Sequence, residues 1–114
     1  MNDKLIQLVT VLGVTKNSNG FKTGEEIDTV EIFADIKSVG RAEYYEALSK
    51  GIHVSIIFEV DNDDFELADR TIEVEGKPKR VRASRVIHEG IEYRIVRTYR
   101  NKFGMLELTC GEEE

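Results

Sequence analysis

The side chains of this 114-residue chain best suited to nucleophilic or acid–base chemistry are two histidines, His53 and His88, and one cysteine, Cys110. Such catalysis needs a nucleophile with a base held beside it. His53 falls on the polar face of an expected strand and His88 beside an expected hairpin turn, where a solvated histidine is the commoner outcome. No G-x-S-x-G, H-E-x-x-H or C-x-x-C accompanies them. Asp61-Asn62-Asp63-Asp64 gathers hard oxygen ligands, but it lacks the spacing of a calcium loop: Glu66 stands where the loop needs glycine and Ile72 where it needs glutamate. Gly13, Gly20 and Gly24 do not form a phosphate-binding loop. The expectation is a protein that is not an enzyme and uses no metal or cofactor.

Charge is the second chemical resource. The net charge is -6, which argues against a dedicated DNA-binding module. The signs are segregated: residues 1 to 76 carry 7 basic and 16 acidic side chains, residues 77 to 102 carry 9 and 2, and the last twelve carry 4 acidic side chains and no basic one. Lys79, Arg80, Arg82 and Arg85 lie in the basic block, followed by Arg94 and Arg97. Three readings of the block stand side by side. It is a solvated face, a nucleic-acid surface on which Tyr93 and Tyr99 stack bases, or a patch complementary to the acidic part of another copy, as a head-to-tail contact requires.

The elements that would position these residues follow from periodicity. Leu5 to Val14 is rich in β-branched residues and reads as a strand, with Asn17-Ser18-Asn19-Gly20 as a turn. In Glu26 to Ser38, Val30, Ile32, Ala34 and Ile36 alternate with polar residues, so this is a half-buried strand. Phe33 interrupts its outer face and is a candidate interface residue or a cross-strand packing partner. Arg41, Tyr44, Tyr45 and Leu48 then recur at helical spacing, which predicts a short helix ending at Gly51. Tyr44 and Tyr45 are adjacent on it, so one narrow core stripe does not easily bury both rings; Arg41, Tyr44 and Tyr45 are further interface candidates.

Ile52 to Val60 alternates most clearly and is expected to be a central strand, ended by a turn at Asp61 to Asp64. Phe65 to Ala83 keeps no period for long and is expected to be a long excursion with a loop tip at Glu75-Gly76-Lys77-Pro78 flanked by weak extended stretches. Ser84 to His88 and Glu92 to Tyr99 form a hairpin around Glu89-Gly90, and Met105 to Cys110 is a last strand. The fold class is therefore mainly β: a small antiparallel β-barrel of about six strands with one short inserted helix, in a single domain spanning residues 1 to 114 with a frayed acidic tail from Gly111 to Glu114. One cysteine, no signal-peptide pattern and no long apolar run suggest a soluble, untargeted chain with no membrane partner.

The segment Val30 to Gly51, VEIFADIKSVGRAEYYEALSKG, resembles the phage head-tail joining family, also called head-closure or head-tail adaptor proteins, whose members carry a V-F-A-D-hydrophobic-K-S-V strand followed by a short segment with acidic, aromatic and Ala residues and then Gly. Ile91 to Tyr99 is similar to the family's Y-x-V-x-R-T-Y strand and Leu106 to Cys110 to its closing strand; agreement is weak from about Phe65 to Ser84. The resemblance implies a small barrel that forms a homo-oligomeric ring in the virion's head-tail connector after assembly in the host cytoplasm. Portal or adaptor protein would lie on its head side, tail proteins on the other and DNA in its channel. It implies no catalytic residue.

Overall fold

The computed structural model describes residues 4–40, 48–51 and 53–112. Among the described residues, eight strands and one complete five-residue helix follow one another: β1 (Lys4–Lys16), β2 (Lys22–Lys37), β3 (Val54–Asp61), α1 (Asn62–Glu66), β4 (Arg70–Val74), β5 (Lys77–Val81), β6 (Arg85–His88), β7 (Ile91–Arg100) and β8 (Met105–Gly111). All pairings are antiparallel. Six strands share one sheet in the order β1-β2-β3-β8-β7-β6, and β6 pairs again with β1, so the order returns to its start. β4 and β5 form a separate two-stranded ribbon.

Strand periodicity sets which side chains face inward. Ile6 and Leu8 of β1, Ile32 and Ala34 of β2, Phe58 and Val60 of β3, Val86 of β6, Tyr93 of β7, and Leu106, Leu108 and Cys110 of β8 make one buried cluster. Phe58 is its centre of aromatic packing, with the Tyr93 ring edge-on at 5.8 Å and the His88 ring edge-on at 5.6 Å. Ile57, on the opposite face of β3, is also buried beside its register partner Thr109. The strand is thus covered on both sides at that point.

Asp61 to Asp64 is a helix start rather than a turn. The Asp61 carboxylate accepts hydrogen bonds from the backbone N–H of Asp63 and Asp64, at 2.8 and 3.4 Å, capping α1. Short acidic side chains suit a cap as well as a turn, and Asp63 and Asp64 in the first turn also complement the helix dipole. The helix sends Phe65, and the following turn Ala68, into the main core. The expected excursion is then the β4–β5 hairpin, whose tip Glu75-Gly76 has φ of 53° and 78°. Glu89-Gly90 at the β6–β7 tip repeats that geometry with 51° and 78°.

The helix expected before β3 lies mostly outside the described residues, as do Arg41, Tyr44 and Tyr45. Leu48 and Ser49 are helical, and Gly51, at φ +77°, donates its N–H to the Leu48 carbonyl at 2.9 Å. The end of that helix therefore sits where the sequence put it. The expected fraying does not begin at Gly111, which is buried in β8 opposite Val54 and Arg94.

The β1–β2 hairpin is longer than its neighbours. β6 pairs with β1 only over Gln7–Val9, and β3 pairs with β2 only over Asp35–Lys37. Beyond Thr10 and Thr29 the two strands have only each other as ladder partners and form an arm. Its base is fixed by the Thr10 hydroxyl donating to the Ala68 carbonyl at 2.6 Å, and by Arg70 bonding Asp28 at 2.9 Å.

A tight backbone approach at the end of β8 yields a test. A Cβ at Gly111 would run into the carbonyl oxygen of His53, whereas one at Gly13 meets nothing. Gly111→Ala is expected to lower urea-unfolding stability by about 1–3 kcal/mol, and Gly13→Ala to change it by less than about 1 kcal/mol.

Candidate interaction surfaces

The chemically capable residues are dispersed. His53 is exposed just before β3. His88, expected to be solvated, is instead the inward-facing residue two positions after Val86: its side chain is only 11% exposed, and its Nδ1 is buried with no partner. Its Nε2 is 3.9 Å from the Glu89 carboxylate, too far for a hydrogen bond. The Cys110 thiol is enclosed in the core beside the Leu108 carbonyl, and burial pushes it up to about 12. A thiol so placed is a poor nucleophile at neutral pH. Among the described residues no group of three or more His, Cys, Asp or Glu side chains could hold a metal ion, and no helix is long and apolar enough to cross a membrane.

The basic block is engaged with acidic side chains of the same chain. Asp69 receives Nε of Arg80 at 3.0 Å and Nε of Arg82 at 3.5 Å, and the Arg82 guanidinium also lies 5.0 Å over the Phe65 ring. The Asp69 contact raises the Arg80 guanidinium above its ordinary range. Arg85 bonds both carboxylate oxygens of Glu25 at 2.8 and 3.1 Å and approaches Glu92 at 3.5 Å. Hydrogen bonds from Arg85 and then Lys22 hold the Glu25 carboxyl below the usual carboxylate range. Lys79 is exposed in β5 opposite Ile72, and Arg97 is exposed on the outer side of β7 opposite Thr109. Tyr93, offered by the sequence as a base-stacking ring, is buried against Phe58 and is not accessible for stacking; Tyr99 is exposed.

Apolar side chains make the other surface resource. Phe33 and Leu5 face each other in register on the outer side of β2 and β1, and each remains about half exposed at 55% and 51%. They form a cross-strand pair that buries neither partner. Sequence reasoning passed over two more aromatics, Phe21 and Phe103, because each lies in a polar turn. They are the most exposed large hydrophobics among the described residues, at 70% and 73%.

Both turns are built on one plan, Asn-x-x-Gly. In the first, the Asn17 side-chain oxygen accepts from the N–H of Asn19 and Phe21, each at 3.0 Å, and Gly20 adopts φ 82°. In the second, the Asn101 oxygen accepts from the N–H of Phe103 and Met105 at 3.0 and 3.1 Å, and Gly104 adopts φ 76°. The asparagine side chain substitutes for a backbone turn, and glycine takes the left-handed position. Asn101 does more: its amide donates to Glu59 at 2.6 Å and to Glu107 at 3.0 Å, and Lys37 bonds the same two carboxylates at 2.8 and 3.3 Å. This network separates two carboxylates that stand opposite each other in the β3–β8 register. It also ties the β7–β8 turn to the end of β2. The hydrogen bond from Asn101, and then Lys37, holds the Glu107 carboxyl below the usual range, while contact with Glu59 first and Glu107 next raises Lys37 above its own.

No protein-family model matches the chain, and no curated protein is significantly similar to it.

Two expectations follow. Glu107 has a depressed folded value, so its contribution to stability is present above the ordinary carboxylate range and is lost as pH falls through the folded value. Asn101→Ala should therefore cost about 1–2 kcal/mol near neutral pH, with the gap to the unmodified protein narrowing in urea titrations carried below about pH 4. Cys110, in turn, should react with a thiol-specific disulfide reagent only as fast as the chain opens, so added urea accelerates labelling in step with unfolding.

Proposed function

We propose that this chain is a structural subunit of the head-tail connector of a tailed bacteriophage, a small β-barrel whose copies assemble into a ring between the DNA-filled head and the tail. The observation that carries this reading is the strand Val30 to Ser38, which resembles the head-tail joining pattern. It forms the body-side half of β2, with Ile32 and Ala34 in the core and Phe33 outside. A strand order that returns on itself supports the barrel. The exposed apolar side chains of Leu5 and Phe33, paired across β1 and β2, support assembly, because adjacent exposed apolar groups mark contact surfaces, and Phe21 and Phe103 add the two most exposed rings among the described residues.

Portal or adaptor protein on one side and tail proteins on the other are the partners implied, with DNA passing through the ring. Binding nucleic acid through residues 77–102 is the weaker reading. Arg80, Arg82 and Arg85 already bond carboxylates, and Tyr93 is inside. That reading retains Arg94, Arg97 and Tyr99 at the surface.

Light scattering at rising protein concentration, alone and with portal or adaptor protein, tests the connector reading. Multimers of the chain or a stable complex with those partners are expected. A chain that stays monomeric and ignores both partners overturns it. Binding to DNA that weakens steeply with added salt would favour the alternative.

A further inference from the structure

The β7–β8 turn holds Phe103 in solvent by a construction far more rigid than a surface loop needs. Asn101 uses its backbone N–H, its carbonyl, its side-chain oxygen and its amide nitrogen, the last on two carboxylates that Lys37 also bonds. Lys102 lies 5.2 Å over the Phe103 ring. Neither Lys102 nor Arg100 has a carboxylate partner among the described residues. The result is an exposed aromatic knob on a bonded turn, with Lys102 over its ring and Arg100 three residues earlier at the end of β7. Fixing an exposed aromatic before association reduces the ordering cost of burying it, and aromatics so placed dominate interface energies.

A complementary receptacle exists at the other end of the molecule. A shallow groove of about 330 Å³ is centred on Gln7, whose register partners on either side are Glu31 and Ile87, and is completed by Leu5, Glu89 and Gly90. A space of about 150 Å³ suffices for a benzene-sized ring. Glu31 has no cation partner among the described residues, and the Glu89 side chain is 82% exposed. Glu89-Gly90 precedes β7 and Phe103 follows it. The ten residues of that strand set knob and groove about 30 Å apart, so one chain cannot fill its own groove.

We infer that Phe103 of one copy, with Arg100 and Lys102 beside it, seats in the Leu5–Ile87 groove of a second copy against Glu31 and Glu89. Different surfaces meet, so the contact is head-to-tail and repeats from subunit to subunit, as a ring demands. The inference rests on the assembly reading and names the contact that makes it. Phe21 is the rival knob, but the neighbouring Lys22 already pairs with Glu25 at 3.1 Å, and its turn has no bond from the asparagine amide to the body.

The test uses two full-length variants in analytical ultracentrifugation. Phe103→Ala removes the knob and keeps the groove; the double variant Glu31→Lys, Glu89→Lys reverses the rim and keeps the knob. Each alone is expected to weaken self-association roughly 30-fold or more. Mixed, they should restore one contact and form a one-to-one complex that grows no further, and that weakens as salt rises. Thermal unfolding of each variant checks that these exposed substitutions leave the fold intact. Wild-type assembly that survives either change, a mixture that stays monomeric, or assembly lost with Phe21→Ala instead overturns this contact while the connector reading stands. A wild-type chain that never self-associates overturns the contact, and the connector reading falls with it only if portal and adaptor protein are ignored too.

Discussion

Closure of the six-strand order is the constraint on which the rest of the structure depends. Because β6 returns to β1, each of the six strands has a partner on both sides over part of its length, and a shift of one residue in any ladder would turn its inward row outward. The inward row is continuous through Ile6, Leu8, Ile32, Ala34, Phe58, Val60, Val86, Tyr93, Leu106, Leu108 and Cys110. Phe58 occupies its centre, and Tyr93 and His88 must meet it edge-on. That explains why two residues with polar atoms, which look like candidates for chemistry or stacking, are spent on packing. It also explains where the surface features fall. Wherever one strand outlasts its neighbours, the chain must project, and the β1–β2 arm and the β7–β8 turn are both such overruns.

Those projections are tied down by charge. The segregation of sign along the chain brings acidic residues of the first part against basic residues of the later part: Glu25 with Arg85 and Asp69 with Arg80 and Arg82, while Arg70 bonds Asp28. Ion pairs near the surface contribute modestly to stability. Their larger effect is positional, because each crosses between separate elements. What looks in one dimension like a single basic patch is in three dimensions divided: Arg80, Arg82 and Arg85 are internal ties, while Lys77, Lys79 and Arg94 stay at the surface. Two further cations without a carboxylate partner among the described residues, Arg100 and Lys102, lie at the far end of β7, and Lys102 sits over the Phe103 ring.

The main sheet was legible in the sequence because its strands are half-buried, and half-burial writes an alternating pattern. β2, β3 and β8 fall within a few residues of the expected segments. The β4–β5 ribbon was only faintly legible, as weak extended stretches beside the Glu75–Pro78 tip, for the converse reason: seven of its ten residues are exposed, so little alternation is imposed. Asp61 to Asp64 misled because the short polar side chains that terminate strands also cap helices. His88 could have been placed correctly by counting, since it shares parity with the buried Val86. The interaction surfaces were legible only in part. Phe33 stood out by breaking an alternation, and the structure leaves it exposed beside Leu5. Phe103 broke no pattern, and nothing in a turn of Asn, Lys, Phe and Gly says how firmly it is held.

The two Asn-x-x-Gly turns show how one local device acquires two mechanical characters from its surroundings. The backbone of each is closed by an asparagine oxygen and a left-handed glycine. At the tip of the arm, Asn17 has no side-chain hydrogen bond beyond its own turn among the described residues, and the arm meets the rest of the molecule only farther back, through Glu25 and Asp28. The same turn between β7 and β8 is bonded through Asn101 to Glu59 and Glu107 and through them to Lys37, so it moves only with the body of the sheet. Both present an exposed phenylalanine, yet a contact that must repeat with one fixed rotation per subunit needs the rigid one. An anchor on the arm would leave that rotation undetermined. In the proposed head-to-tail contact, an anchor bonded across β2, β3 and β8 would transmit the orientation of one body to the next, and that property decides whether such a chain closes into a ring or continues as a filament.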